Sequence, residues 1–115
     1  MIIISIELDI PLEKTKEFFE PLVVICERMS LENGCISCGL FMDASDENRY
    51  RLIGKWNKEE YLENYMQSEE FNFLLTVLSF LKKQPRMRLD VLPHLTKRET
   101  LHKGFDEHKT HNIQM

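Results

Sequence analysis

The stretch Trp56-Asn57-Lys58-Glu59-Glu60-Tyr61-Leu62-Glu63-Asn64-Tyr65-Met66-Gln67-Ser68-Glu69-Glu70-Phe71 decides how this chain folds, because the hydrophobic period changes within it. Before it, Tyr50, Leu52, Gly54 and Trp56 share one face of residues 49–56, and Arg49, Arg51, Ile53 and Lys55 share the other. Alternation with period two marks a strand. After Trp56, Asn57 with Glu60 three residues on makes a capping-box pattern, which predicts a short helix to about Met66. Ser68 then caps a second helical segment, with Glu69 and Glu70 suited to the positive end of its dipole. Phe71, Leu74, Leu75, Leu78 and Leu81 line one face of that segment. Phe73, Val77 and Phe80 leave little of it polar, so cover on more than one side is expected.

The same two periods recur outward from this stretch. Ile2, Ile4, Ile6, Leu8 and Ile10 form one wholly apolar face of a strand over residues 2–10, opposite a mixed face of Met1, Ile3, Ser5, Glu7 and Asp9. Pro11 opens a helix to about Glu32, with a stripe of Phe19, Leu22, Val23, Cys26 and Ser30, broadened by Phe18, Ile25 and Met29. Pro21 inside it lacks the donor for the Glu17 carbonyl, which predicts a kink. Asn33-Gly34 supplies a left-handed stop. Residues 35–43 read as a strand, and Asp43 to Asn48 as a polar turn. Residues 86–92 are the last strand, with Met87, Leu89 and Val91 inward and Pro93 at its end. Strand, helix, strand, strand, helix, strand is an α+β chain with the ferredoxin-like βαββαβ layout. Residues 1–92 make that domain, and 93–115 a C-terminal extension. In the extension, Thr96-Lys97-Arg98-Glu99 and Gly104 bound a short helix at 97–103, Phe105 serves as anchor, and disorder is expected beyond Asp106.

Composition narrows the function classes. The 115 residues suit one domain and one core, and 43% hydrophobic content is ordinary for a globule. A formal charge of −4 disfavours nonspecific nucleic-acid binding, which depends on phosphate neutralisation. No apolar run reaches the roughly 18 residues of a spanning helix, so no membrane partner is expected. The opening apolar run lacks a basic flank and meets Glu7 and Asp9, so it does not read as a signal peptide and a cytoplasmic location is expected. All four histidines, His94, His102, His108 and His111, follow the last predicted strand. Acid–base chemistry in the core must therefore use other groups.

Pro11, Phe19, Gly34-Cys35, Asp43, Trp56, Leu62, Ser68 and Phe71 stand in the order and register of a known family. Over residues 2–92 the chain resembles the antibiotic-biosynthesis monooxygenase superfamily of dimeric α+β barrel proteins. The resemblance implies a homodimer whose sheets pack face to face, with a small apolar pocket between sheet and helices. Members include cofactor-independent monooxygenases of quinols and anthrone-like phenols, haem-degrading enzymes, small-molecule isomerases and proteins of no known activity. This chain departs from the common pattern at three positions. Tyr65 stands where a histidine is frequent, Gly54 where a glutamate is, and Cys38 where a tyrosine is. The haem-degrading branch is a poorer match: it uses an Asn in strand one, a Trp at position 65 and a His where Leu75 stands.

Several residues can carry chemistry on this reading. Trp56 is expected to stack on a planar ring and Tyr65 to donate a hydrogen bond to a substrate oxygen; otherwise Trp56 plugs the core and Tyr65 reaches solvent. Glu7, or a substrate-bound water, would take the proton, and Glu7 and Asp9 could instead pair with arginines. Arg51, with Arg49 and Lys55, could anchor a phenolate or carboxylate, or form an ion-pairing face opposite Glu7 and Asp9. Cys35 and Cys38, three apart on a strand, should point to opposite faces, which disfavours a disulfide or metal site; Cys38 is expected to line the pocket with Leu40 and Met42. No metal site is expected. The function these residues imply is a monooxygenase without a cofactor, acting on a small planar phenol or quinol. The alternative is a non-catalytic dimeric small-molecule-binding or stress-response module that kept the fold.

Overall fold

Alternating aliphatic residues drive the centre of the molecule. In the computed structural model, which describes residues 1–93, β1 (Ile2–Asp9) buries Ile2, Ile4, Ile6 and Leu8, and Ile10 beyond it is buried as well. A 3-10 turn at Leu12–Lys14 leads from Pro11 into α1 (Thr15–Ser30). Then follow β2 (Cys35–Asp43), β3 (Asp46–Trp56), α2 (Glu59–Met66), α3 (Glu69–Ser79) and β4 (Arg86–Val91). The sheet order is β2-β3-β1-β4 and every neighbouring pair is antiparallel. This is the ferredoxin-like α+β fold expected from the order of elements. The helices pack on one face of the sheet and the other face is open in the single chain. Among the described residues no helix is long and apolar enough to cross a membrane.

Three local devices set the frame. Gly34 takes φ +85°, a left-handed conformation that suits glycine, and its carbonyl accepts the Asn57 N–H at 2.8 Å. The stop after α1 is thereby tied to the end of β3. Asp43 accepts both the amide and the hydroxyl of Ser45 on one oxygen, at 2.9 and 2.8 Å, closing the β2–β3 hairpin. Those hydrogen bonds hold the Asp43 carboxyl below its usual pKa. Ser68 caps α3, accepting the Phe71 N–H at 3.2 Å.

The structure corrects several details. The buried stripe of α1 is Phe18, Leu22, Ile25, Cys26 and Met29, while Phe19 and Ser30 lie on its exposed flank. Pro21 stands inside α1 without ending it. Asn57 does not cap α2: Lys58 is the extended residue at that position, and no side chain caps the helix. The Asn57 amide goes to Gly34 instead. On β4, Met87, Leu89 and Val91 share the helix-side face with Ile6, Ile4 and Ile2, yet all three are exposed, because no described helix overlies this edge. Phe73, Leu75 and Phe80 of the α3 segment are likewise uncovered. The expected helix at 97–103, the Phe105 anchor and the histidine tail lie outside the described residues.

Candidate functional site

The sequence-predicted residues fall into two groups, separated by the sheet. The first lies between sheet and helices. β3 carries Trp56 inward from its last position, and α2 brings Tyr65 over it. The two rings are 5.2 Å apart between centroids and tilted by 35°, and Phe71 meets Tyr65 edge-on at 5.8 Å. Trp56 is 0% exposed and Tyr65 only 3%. The indole N–H of Trp56 is buried with no hydrogen-bond partner. It lies beside Gly54, where an added Cβ would sit 3.3 Å from Nε1, 2.9 Å from Met29 Sδ and 3.0 Å from Ile4 Cγ2. Trp56 therefore fills the core, as one of the two sequence readings held. Tyr65, contrary to the other half of that reading, does not reach solvent. Burial foremost, and then the negative charges that Cys38, Glu70 and Glu32 can carry, push its phenol well above its ordinary pKa. Its phenol thus stays protonated.

Cys38 belongs to this group, and a bulge brings a second cysteine with it. Cys35 pairs with Trp56 and Cys38 with Gly54, while Ser37 pairs with Lys55, so Ile36 is the extra residue of a bulge. Simple alternation puts residues 35 and 38 on opposite faces. The bulge reverses that, and both thiols face the helices and pack against the core. Cys38 also meets Cys26 of α1. The interaction between the two thiols raises the Cys38 pKa and lowers that of Cys26. Cys35 is raised by burial. Among the described residues no three His, Cys, Asp or Glu side chains are grouped to hold a metal ion.

The second group lies on the open face. Glu7 sits between Arg51 of β3 and Arg86 of β4 in the ladder. Its Oε1 is 3.2 Å from Arg49 Nε and 3.6 Å from Arg86 Nη2. The first contact is an ion pair without hydrogen-bond alignment, since Arg49 Nε has no bonded partner. Arg49 also lies within 4.0 Å of Asp9 and 3.8 Å of Asp46. Surface pairs of this kind contribute only about 0–1 kcal/mol each, so they serve register more than stability. Ser5, Glu7, Arg51, Arg86, Arg88 and Asp90 line a shallow groove of about 670 Å³ on this face. Glu7 and Arg51 are thus brought together, and the sheet stands between them and Tyr65.

A third place was missed in the sequence. A cleft of about 270 Å³ opens between α3 and β4, walled by Ile6, Leu75, Leu78, Pro85 and Met87, with Ser79 and Gln84 as its polar groups. Leu75 was assigned to the core stripe and Met87 to an inward strand face, but both border this opening. The signal was the excess of apolar residues on α3 beside a last strand without a covering helix.

The comparisons agree with the fold. Residues 1–72 match the family model for antibiotic biosynthesis monooxygenase. A Deinococcus radiodurans structure, provisionally assigned as an antibiotic biosynthesis monooxygenase, superposes with a TM-score of 0.77 at 15% identity, covering 84% of this chain and 97% of that one. A conserved protein from Methanosarcina mazei superposes with a TM-score of 0.74 at 22% identity, covering 80% of this chain and 92% of that one. At these identities the likeness is one of fold. No curated protein matches the chain.

Proposed function

The chain belongs to the antibiotic biosynthesis monooxygenase family, and on that premise we propose that it oxygenates a small planar phenol or quinol without a bound cofactor. The observation that carries this reading is the cleft between α3 and β4. It has apolar walls and two neutral polar groups. Its 270 Å³ is just under the roughly 300–1,000 Å³ of ordinary ligand clefts, which suits a ligand of few rings. The phenol loses its proton, and the anion passes an electron to O2. The two radicals combine as a peroxide anion on the ring, which takes the proton back to become a hydroperoxide, and loss of water leaves a carbonyl. The protein's task is to hold the anion in a poorly hydrated place and to accept a proton. Glu7 lies across the sheet with Oε1 engaged by two arginines, so a water at the cleft mouth is the better acceptor. Tyr65 as donor, Trp56 as ring wall and Cys38 beside them form an alternative seat, reached when the helices above part. A homodimer closed over the open face, with the charges of Glu7, Asp9, Arg49 and Arg51 paired across it, completes the proposal.

A second reading has its own support. Trp56 and Tyr65 are enclosed, and residues 1–93 hold no histidine. That favours a binding module without turnover.

Oxygen uptake by the full chain with a panel of quinols and anthrones separates these readings. Leu75→Trp fills the cleft from a side chain that is 42% exposed, so the fold can accept it. A loss of about tenfold or more, equivalent to about 1.4 kcal/mol of barrier, with Tyr65→Phe unchanged, supports the cleft. The reverse pattern moves the reaction to Tyr65. Ligand binding without uptake by the wild-type chain supports the module.

A further inference from the structure

We infer that Cys26 and Cys38 form a dithiol–disulfide pair that can latch α1 to β2. The pair stands apart from the proposed oxygenase reaction and does not depend on it.

Three features of the fold bring these two sulfurs together. The bulge at Ile36 turns Cys38 to the helix side of the sheet. Its partner across the ladder is Gly54, which has no side chain to hold α1 away. Met29 shows how near α1 comes, because its sulfur would stand 2.9 Å from a Cβ placed on Gly54. Cys26 is three residues before Met29, on the same buried stripe of α1, and residues so spaced are neighbours on a helix face. Cys26 therefore lies one helical turn from the point where α1 meets the Gly54–Cys38 pair, and α1 packs on β2. Both are free thiols in the structure, Cys26 buried and Cys38 half-buried. Their contact stabilises negative charge on Cys26, in agreement with the geometry. Cys35 faces the same layer one ladder step away, opposite Trp56, and is the natural control.

The reaction is exchange with a small disulfide, such as oxidised glutathione. Cys38 is the more open thiol. It gives its proton to water and attacks one sulfur of the small disulfide, and the first thiolate leaves. Cys26 then attacks the Cys38 sulfur of the mixed disulfide. It gives its proton to the released thiolate, and the second thiolate leaves to take a proton from water. The two cysteines lose two electrons together, and the small disulfide becomes two thiols. The bond requires α-carbons within about 7 Å, a demand that the close approach at Gly54 favours.

The test uses the native full chain, exposed to oxidised glutathione, then alkylated and weighed intact before and after reduction. The wild type and Cys35→Ser are expected to lose the mass of two hydrogens and two alkylatable thiols, without a retained glutathione. A digest of the oxidised wild type should give one linked peptide joining Cys26 to Cys38. Cys38→Ser should show no such link. If Cys26→Ser fails to fold, the wild-type digest still decides. A link through Cys35, glutathione retained on separate cysteines, or no change of mass under native conditions each overturns the inference.

Discussion

Gly54→Ala tests how tightly α1 is seated on the sheet. The backbone at Gly54 is not left-handed, so alanine brings no conformational strain. By stiffening the unfolded chain it should even stabilise, by about 0.4–1 kcal/mol. Against this stand three contacts for the new methyl, at 2.9 Å to Met29 Sδ, 3.0 Å to Ile4 Cγ2 and 3.3 Å to Trp56 Nε1. The sulfur is the end of a flexible chain, but Met29, Ile4 and Trp56 are each 0% exposed and have nowhere to go. Overpacking of this kind costs about 1–3 kcal/mol, so the net loss should be about 1–2 kcal/mol. For a domain of this size each kcal/mol lowers Tm by about 4–8 °C. Met29→Ala alone opens a cavity and should cost about 2–5 kcal/mol. In the double variant the new methyl fills part of that cavity, so its cost should fall short of the sum by at least about 1 kcal/mol, where independent sites agree within about 0.3–0.5 kcal/mol. Urea unfolding of the four proteins, with equal slopes, measures the cycle. Gly54→Ala within about 0.5 kcal/mol of the wild type, or a strictly additive cycle, would refute the reasoning.

Gly34→Ala should be harsher, by about 3 kcal/mol or more, because it adds left-handed strain to a clash of the new Cβ with the Tyr61 ring. Thermal melts check it, and Tyr61→Ala in the same chain should recover part of the loss. Ser68→Ala should cost about 1 kcal/mol through the lost cap on the Phe71 amide, read from urea midpoints, whereas Ser79→Ala on the exposed end of α3 should cost less. Tyr65 is held protonated by burial, so its folded pKa lies above the unfolded value near 10. The unfolded chain then releases the proton first, and stability should be full below about pH 10 and fall as pH rises beyond it. Tyr65→Phe should flatten that fall, and an equal loss of unfolding free energy between about pH 8 and pH 11 in the two proteins would exclude the effect.

The strands were legible because each carries a period-two pattern with one aliphatic face, from Ile2 to Ile10 and from Tyr50 to Trp56. The sequence reading joins Glu7 and Trp56 in one site, but the apolar face of each strand meets the helices, which leaves Glu7 on the other side of the sheet from Trp56. The bulge could not be read from residue numbers, because its only trace is one added residue, Ile36, among uncharged neighbours. The α1 stripe was displaced toward Phe19, since Phe18 and Phe19 are equivalent until the sheet chooses between them. Asn57 looked like a cap because its spacing to Glu60 was right, but the Gly34 carbonyl competes for its backbone. The cleft was hidden because Leu75 and Met87 are apolar in the way of core residues, and only the missing cover over β4 exposes them.

The two outer strands of the sheet differ in what they offer another chain. β4 is six residues long and alternates Arg86, Arg88 and Asp90 with its apolar residues, so an approaching backbone meets charge at every second step. β2 has no charged residue from Cys35 to Met42, and Ile36, Phe41 and Met42 project outward from it. Unguarded rims of this kind recruit foreign strands and seed fibres. The irregularity at Ile36 distorts the hydrogen-bonding rim at one end, and Asp43 with the hairpin closes the other. The bulge that turns Cys38 inward thus also interrupts the regular rim of β2, and a chain shortened by Ile36 should become stickier in concentrated solution.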